Sequence, residues 1–300
     1  MKNITHHQFR TEDFSRVSDF LITHYLPKNS DGNWLQPAWE YMHTHPFLDE
    51  NSLDKIRIWE ENEEIVAVAH YESRLGEAFF QTHPGFAALK PEMLEYAERS
   101  FKGTTKEGKP YLHVFVNSFD DALKSLVISK GYVRVKTEDR PLAMMRIPDP
   151  FPKITVPDGF VVKSLADEND LCKINRVLWR GFNHPGEPPE DDEDIENRRK
   201  MQSGPNFRKD LTIVIEAPSG NFVAFAGLWN VPQNNYCYVE PVATDPDFRK
   251  MGLGKAAVLE GIRRCGEDGT KVAYVGSDQM FYQKLGLRKI FTSECWKKVW

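Results

Sequence analysis

A chain of 300 residues is long for one compact core and comfortable for two domains of about 150 residues each. Its hydrophobic share of 40% and aromatic share of 12% exclude a disordered chain. The formal net charge of -5 gives no basic footprint, which argues against nucleic acid as main partner, and no apolar stretch approaches the ~20 residues that cross a bilayer.

In chain order, Asn3 to Phe9 reads as a strand, and Thr11 to Tyr25 as a helix with Phe14, Val17 and Leu21 inward. Lys55 to Glu60 and Ile65 to Tyr71 read as a hairpin, Glu77 to Gln81 as a strand, and Lys90 to Phe101 as a helix. Tyr111 to Val116 is a strand. Asn117 can cap a helix to Lys130 that Gly131 ends, and Tyr132 to Ile147 completes the set. The segment 148–158, opening Pro148-Asp149-Pro150-Phe151-Pro152, reads as a linker because proline blocks helix continuation.

The same order then recurs. Gly159 to Lys163 is a strand, and Asp167 to Trp179 a helix with Leu171, Ile174 and Leu178 at helical spacing. Leu211 to Glu216 and Phe222 to Trp229 form a hairpin across Pro218-Ser219-Gly220-Asn221. Tyr236 to Ala243 is a strand, Lys255 to Arg264 a helix, and Lys271 to Val275 a strand. Ser277 or Asp278 can cap a short helix to Lys284, Gly286 ends it, and Leu287 to Trp300 is the last strand. Two domains are expected, 1–147 and 159–300.

The four cysteines, Cys172, Cys237, Cys265 and Cys295, have neither Cys-x-x-Cys nor metal spacing. They read as reduced thiols of a cytoplasmic protein with no metal. Met1 to His7 lacks the apolar run of a signal peptide. His6-His7 and His43-x-His45 lack a companion ligand framework and read as polar surface or capping residues.

Between the strand 236–243 and the helix 255–264 lies Thr244-Asp245-Pro246-Asp247-Phe248-Arg249-Lys250-Met251-Gly252-Leu253-Gly254-Lys255. Two glycines let backbone approach an anion closely, and the unpaired N–H groups of a first helical turn point at it. The spacing is neither the P-loop nor the dinucleotide fingerprint. It resembles the pyrophosphate loop of the GNAT superfamily of acyl-CoA-dependent N-acetyltransferases, Arg/Gln-x-x-Gly-x-Gly/Ala. Phe281-Tyr282-Gln283-Lys284-Leu285-Gly286-Leu287 resembles that family's Phe-Tyr-x-x-x-Gly-Phe motif, with one residue fewer before the glycine.

The resemblance implies an α/β (α+β) fold of two tandem domains, each a mixed, mostly antiparallel sheet flanked by helices, the plan of tandem members such as mycothiol synthase. It implies acetyl-CoA as co-substrate, held by Val242, Ala243, Thr244, Arg249, Lys250, Met251, Gly252, Leu253, Gly254, Lys255 and, in place of the usual asparagine, Ser277. Tyr282 would protonate the departing thiolate. Glu240 would take the proton of a primary amine on a small molecule or peptide, or anchor that amine, or be a strand-face residue. Pro241 suggests a splay that frees N–H groups near Val242 to Thr244. The acidic run Gly186 to Glu196 reads as a helix start or an acidic lid. Trp179, Arg180, Phe182, His184 and Trp229 are candidate cleft residues.

Aligned on Thr82-His83-Pro84 against Thr244-Asp245-Pro246, the first half places Ala87 opposite Arg249 and Lys90 and Glu92 opposite the two glycines. It is expected to have kept the fold and lost the coenzyme site. Packing, one wall of the acceptor cleft, or oligomerisation (a homodimer included) remain as its role.

Overall fold

The computed structural model describes residues 4–188 and 191–300. The start of the first expected strand at Asn3, and Pro189 and Glu190 of the acidic run, lie outside them. The first part of the chain runs β1 (Ile4–Gln8), α1 (Asp13–Thr23), α2 (Gln36–Thr44), β2 (Arg57–Glu61), β3 (Glu64–His70), β4 (Glu77–Thr82), α3 (Lys90–Ser100), β5 (Gly103–Thr104), β6 (Pro110–Asn117), α4 (Asp121–Ser129), β7 (Val133–Arg134) and β8 (Arg140–Arg146). The second runs β9 (Val161–Ser164), α5 (Leu171–Gly181), α6 (Asp192–Lys200), β10 (Ile213–Glu216), β11 (Phe222–Val231), β12 (Tyr236–Thr244), α7 (Leu253–Glu267), β13 (Val272–Val275), α8 (Met280–Leu285) and β14 (Arg288–Val299).

These elements form two units that are not the contiguous halves 1–147 and 159–300. One comprises the chain up to His43, Phe47–Leu142 and Ile290–Trp300; the other comprises Thr44–Pro46 and Ala143–Lys289. In the first, strands β1, β2, β3 and β4 pair antiparallel, β4 pairs β6 in parallel, and β6 pairs β14 antiparallel. In the second, β9, β10, β11 and β12 pair antiparallel, β12 pairs β13 in parallel, and β13 pairs β8 antiparallel. The strand that pairs β6 in the first set, β14, and the strand that pairs β13 in the second, β8, therefore each come from the other half of the chain. The proline-rich segment is no free linker, since Phe151, Ile154 and Val156 pack against the second unit's core.

Local chemistry sets the element ends. Helix α5 starts at Leu171 because Asp170 caps it, accepting from the Lys173 N–H at 3.0 Å, while Asp167 is bound to Ser164 instead. Asp120, and not Asn117, caps α4, accepting from the Leu123 N–H at 3.0 Å. In the second unit, β11 is an almost unbroken buried run, as expected of a strand inside a sheet. Helix α7 lays Leu253, Ala256, Ala257, Val258, Ile262 and Cys265 into the core with Ile213, Ala224, Ala226 and Leu228. Fully burying each large aliphatic side chain contributes about 1.5–3 kcal/mol, and the small ones let the helix approach the sheet. This packing fixes the start of α7 beside the end of β12.

Candidate active site

Strand β12 pairs with β13 only from Tyr236 to Val239, yet stays with β11 as far as Thr244. Its register on β11 shifts between Ala226 and Leu228, so Glu240 and Pro241 together oppose Gly227. This is the splay expected at Pro241. The carbonyl freed there, that of Glu240, accepts from the Trp229 indole at 2.9 Å. Beyond the splay, the Asp245 N–H donates to the Val223 carbonyl at 2.9 Å. Antiparallel alternation then points the N–H groups of Val242 and Thr244 away from β11, toward the side β13 has left.

That gap is a cleft of about 820 Å³. Glu240, Val242, Ala243 and Thr244 line one wall; Arg249, Lys250, Gly252, Leu253, Gly254 and Lys255 line another; Ser277 and Tyr282 line a third. Met251 is the exception among the expected site residues. It does not line the cleft and is 42% exposed, because the loop's turn carries its side chain outward.

The loop has a reason for each glycine. Gly252 caps α7 at φ 83°, a left-handed conformation that costs an L side chain about 1–2 kcal/mol. At Gly254 a Cβ would stand 2.5 Å from Thr244 Oγ1, so glycine lets the helix start meet the end of β12. No side chain caps α7, and its first intrahelical bond is Ala256 N–H to the Gly252 carbonyl at 2.9 Å. The N–H groups of residues 250–255 thus present unpaired donors at the positive end of a helix dipole, with no acidic residue in its first turn.

Arg249 ties this loop to the exit of α5. Its Nε donates to the Thr244 carbonyl (3.2 Å) and its Nη2 to the Gly181 carbonyl (2.9 Å) and Asn183 Oδ1 (2.8 Å). Beside it, buried Asp245 accepts from Arg176 Nη1 at 3.0 Å and Arg180 Nε at 2.8 Å. Burial alone would raise this carboxyl, but the Arg180 and Arg176 charges and the Asp247 N–H outweigh it and hold Asp245 below the usual carboxylate range. Tyr282 lies on α8 with its ring edge-on to Phe281. Burial, and secondarily the charge of Glu240, push its phenol up to about 12, so it stays protonated at neutral pH. Ser277 Oγ accepts from the Gln279 N–H at 3.3 Å, just before α8.

Of the other candidates, Phe182 lines the cleft. Trp179 donates to the Pro185 and Gly186 carbonyls, Arg180 serves Asp245, and Trp229 holds Glu240's carbonyl. His184 packs its ring on Trp179. The acidic run ends as the start of α6, capped by Asp191 and basic in its last turn, which is the solvated-helix arrangement. Gly181 and Asn183 were not foreseen as cleft residues; the only signal was an asparagine just past a helix end, where it sits at φ 61°. Among the described residues, no group of His, Cys, Asp or Glu could hold a metal, and no helix is long and apolar enough to cross a membrane.

Residues 171–287 match the model of the Acetyltransferase (GNAT) family. The chain is 25% identical over 254 residues to a mycothiol acetyltransferase of Saccharomonospora viridis, covering 76% of this chain and 78% of that one. Among solved structures it resembles a GCN5-related N-acetyltransferase from Sphaerobacter thermophilus, with TM-score 0.67, 14% identity, and 99% and 95% of the two chains covered. It also resembles a tandem GNAT protein from the clavulanic acid biosynthesis pathway, with TM-score 0.65, 13% identity, and 99% and 98% covered.

The chain has the fold of the tandem GNAT structures, and within it residues 171–287 form a segment of the acetyltransferase (GNAT) family. Its GNAT-family segment, 171–287, contains every residue of the cleft described above.

Proposed function

We propose that the second unit transfers an acetyl group from acetyl-CoA to a primary amine of a small molecule or peptide, by direct attack. The observation that carries this reading is the convergence on one cleft of unpaired helix-start donors, a protonated phenol and a carboxylate. The coenzyme supplies an acetyl thioester. The N–H groups of 250–255, with Lys250 and Lys255 beside them, hold its diphosphate. The Val242 N–H, aimed into the gap, polarises the thioester oxygen; losing such a donor costs about 10²–10³-fold in rate in other enzymes. Glu240 takes the proton lost by the attacking nitrogen, and Tyr282 gives one to the sulfur as the C–S bond breaks. No covalent enzyme intermediate is needed. The four free cysteines suit a reducing compartment such as the cytoplasm.

Calorimetric titration with acetyl-CoA tests the reading. One site per chain is expected, lost in Gly252→Glu and weakened only several-fold in Gly252→Ala. The alanine variant carries the same backbone strain without the charge. Undiminished binding to Gly252→Glu would remove the diphosphate assignment.

A further inference from the structure

The first unit repeats the splay of the second. Strand β4 pairs with β6 only at Glu77 and Ala78, then stays with β3 as far as Thr82. The His83 N–H donates to the Val66 carbonyl at 2.9 Å, as Asp245 does to Val223. The turn that follows is also the same: His83 Nδ1 accepts from the Gly85 N–H at 2.9 Å, as the Asp245 carboxylate does from the Asp247 N–H at 3.1 Å. Thr82 therefore corresponds to Thr244, with its N–H and carbonyl pointing away from β3 into the gap.

We infer that this second gap is filled by the chain itself, and that residues 29–34 are its built-in occupant. The inference rests on the reading of the second unit's cleft as a coenzyme site. Asn33, 4% exposed, spends its carboxamide on both backbone groups of Thr82: Oδ1 accepts from the Thr82 N–H at 2.8 Å, and Nδ2 donates to the Thr82 carbonyl at 3.1 Å. The next residue, Trp34, donates its N–H to Gln81 Oε1 at 2.7 Å and lays its indole edge-on to His70 and Phe79, while Phe79 stacks on Phe115. The strap is pinned from beneath by Asn29 Nδ2 to the Asn33 carbonyl (2.9 Å) and Asn117 Nδ2 to the Gly32 carbonyl (2.6 Å). Gly32 is needed there: its φ is 74°, and a Cβ would stand 2.4 Å from Asn117 Nδ2.

The anion end is closed as well. Helix α3 begins without a left-handed glycine, and its second residue, Pro91, has no N–H. Lys90 pairs with Asp120, and Glu92 accepts from the Trp59 indole at 2.8 Å. Thr82, Lys90 and Glu92, which stand opposite Thr244, Gly252 and Gly254, are already bonded inside the unit. The chain thus has one acyl-CoA site, and the first unit is coenzyme-blind because its cleft carries a covalently attached substitute for a ligand.

Two measurements test this. Titrating the full chain with acetyl-CoA should give one site, and Gly252→Glu none; two sites, or one surviving in Gly252→Glu, would overturn the inference. No binding at all would instead overturn the reading of the second unit. Amide hydrogen exchange on the free chain decides the strap independently of any coenzyme. The Thr82 amide should exchange at least 100-fold more slowly than its counterpart, the Thr244 amide, and Asn33→Ala should remove most of that protection. Equal exchange at the two positions would show that the strap does not fill the gap.

Discussion

Gly254→Ala places one methyl where α7 meets β12. That methyl would lie 2.5 Å from Thr244 Oγ1, about 0.9 Å short of the 3.4 Å at which ordinary contact begins. Thr244 is β-branched, so turning its hydroxyl aside brings another substituent forward. The helix start must therefore retreat by most of an ångström. Overpacking of this kind costs about 1–3 kcal/mol in stability. The same retreat moves the N–H groups of 253–255 off an anion they would hold near 2.9 Å, so acetyl-CoA should bind about 10–100-fold more weakly, or about 1.4–2.8 kcal/mol. Calorimetry on Gly254→Ala, Thr244→Ala and the double variant forms a cycle. Thr244→Ala removes the offending oxygen, so the double variant should recover most of the lost affinity. If the losses simply add, the argument from close approach is refuted, and Gly254 is needed for some other reason.

Tyr282→Phe should lower kcat by about 10²–10⁴-fold while leaving coenzyme affinity within a few fold. Because the phenol's proton is held up to about 12, kcat should show no alkaline fall from this group below pH 10; a fall near 9 would name a different acid. Asp245→Asn should lower Tm by about 5–10 °C, from roughly 2–3 kcal/mol of charge-assisted bonding discounted for the partly exposed arginines. Asp245 sits below its ordinary range, so its contribution is present above about pH 4 and fades as pH falls through the lower folded value; the Tm deficit of the variant should shrink in acid. Removing residues 290–300 takes from β6 the partner that covers Tyr111 to Asn117 and removes Trp296 from the first unit's core. Limited proteolysis should then cut first within 47–142; preferential cutting within 143–289 would contradict the assignment of β14.

The element order and the candidate cleft are legible because both are written locally. A strand, a basic residue, two spaced glycines and a helix lie within one short stretch, and the proline after Glu240 announced the splay. That the Met251 side chain turns out of the cleft is not written in the spacing, which does not say which way a loop side chain points. Which sheet β8 and β14 join is invisible in their alternating patterns, since an apolar face fits either sheet equally well. The strap was missed for a similar reason. Asn33 and Trp34 look like loop residues, and only the fold brings them 49 and 47 positions along the chain to Thr82 and Gln81. Asn117 reads locally as a helix cap, and nothing in the sequence shows that its Nδ2 donates to the Gly32 carbonyl 85 residues away.

The exchange of final strands has a consequence for synthesis. Strand β6 is complete at Asn117, but the strand that covers it, β14, begins only at Arg288. At 5–20 residues per second, the roughly 150 residues after β8 take about 8–30 s. Throughout that interval β6 offers an unpaired edge on the nascent chain, the kind of edge that recruits other strands. The second unit can assemble while the first waits for β14 to leave the ribosome.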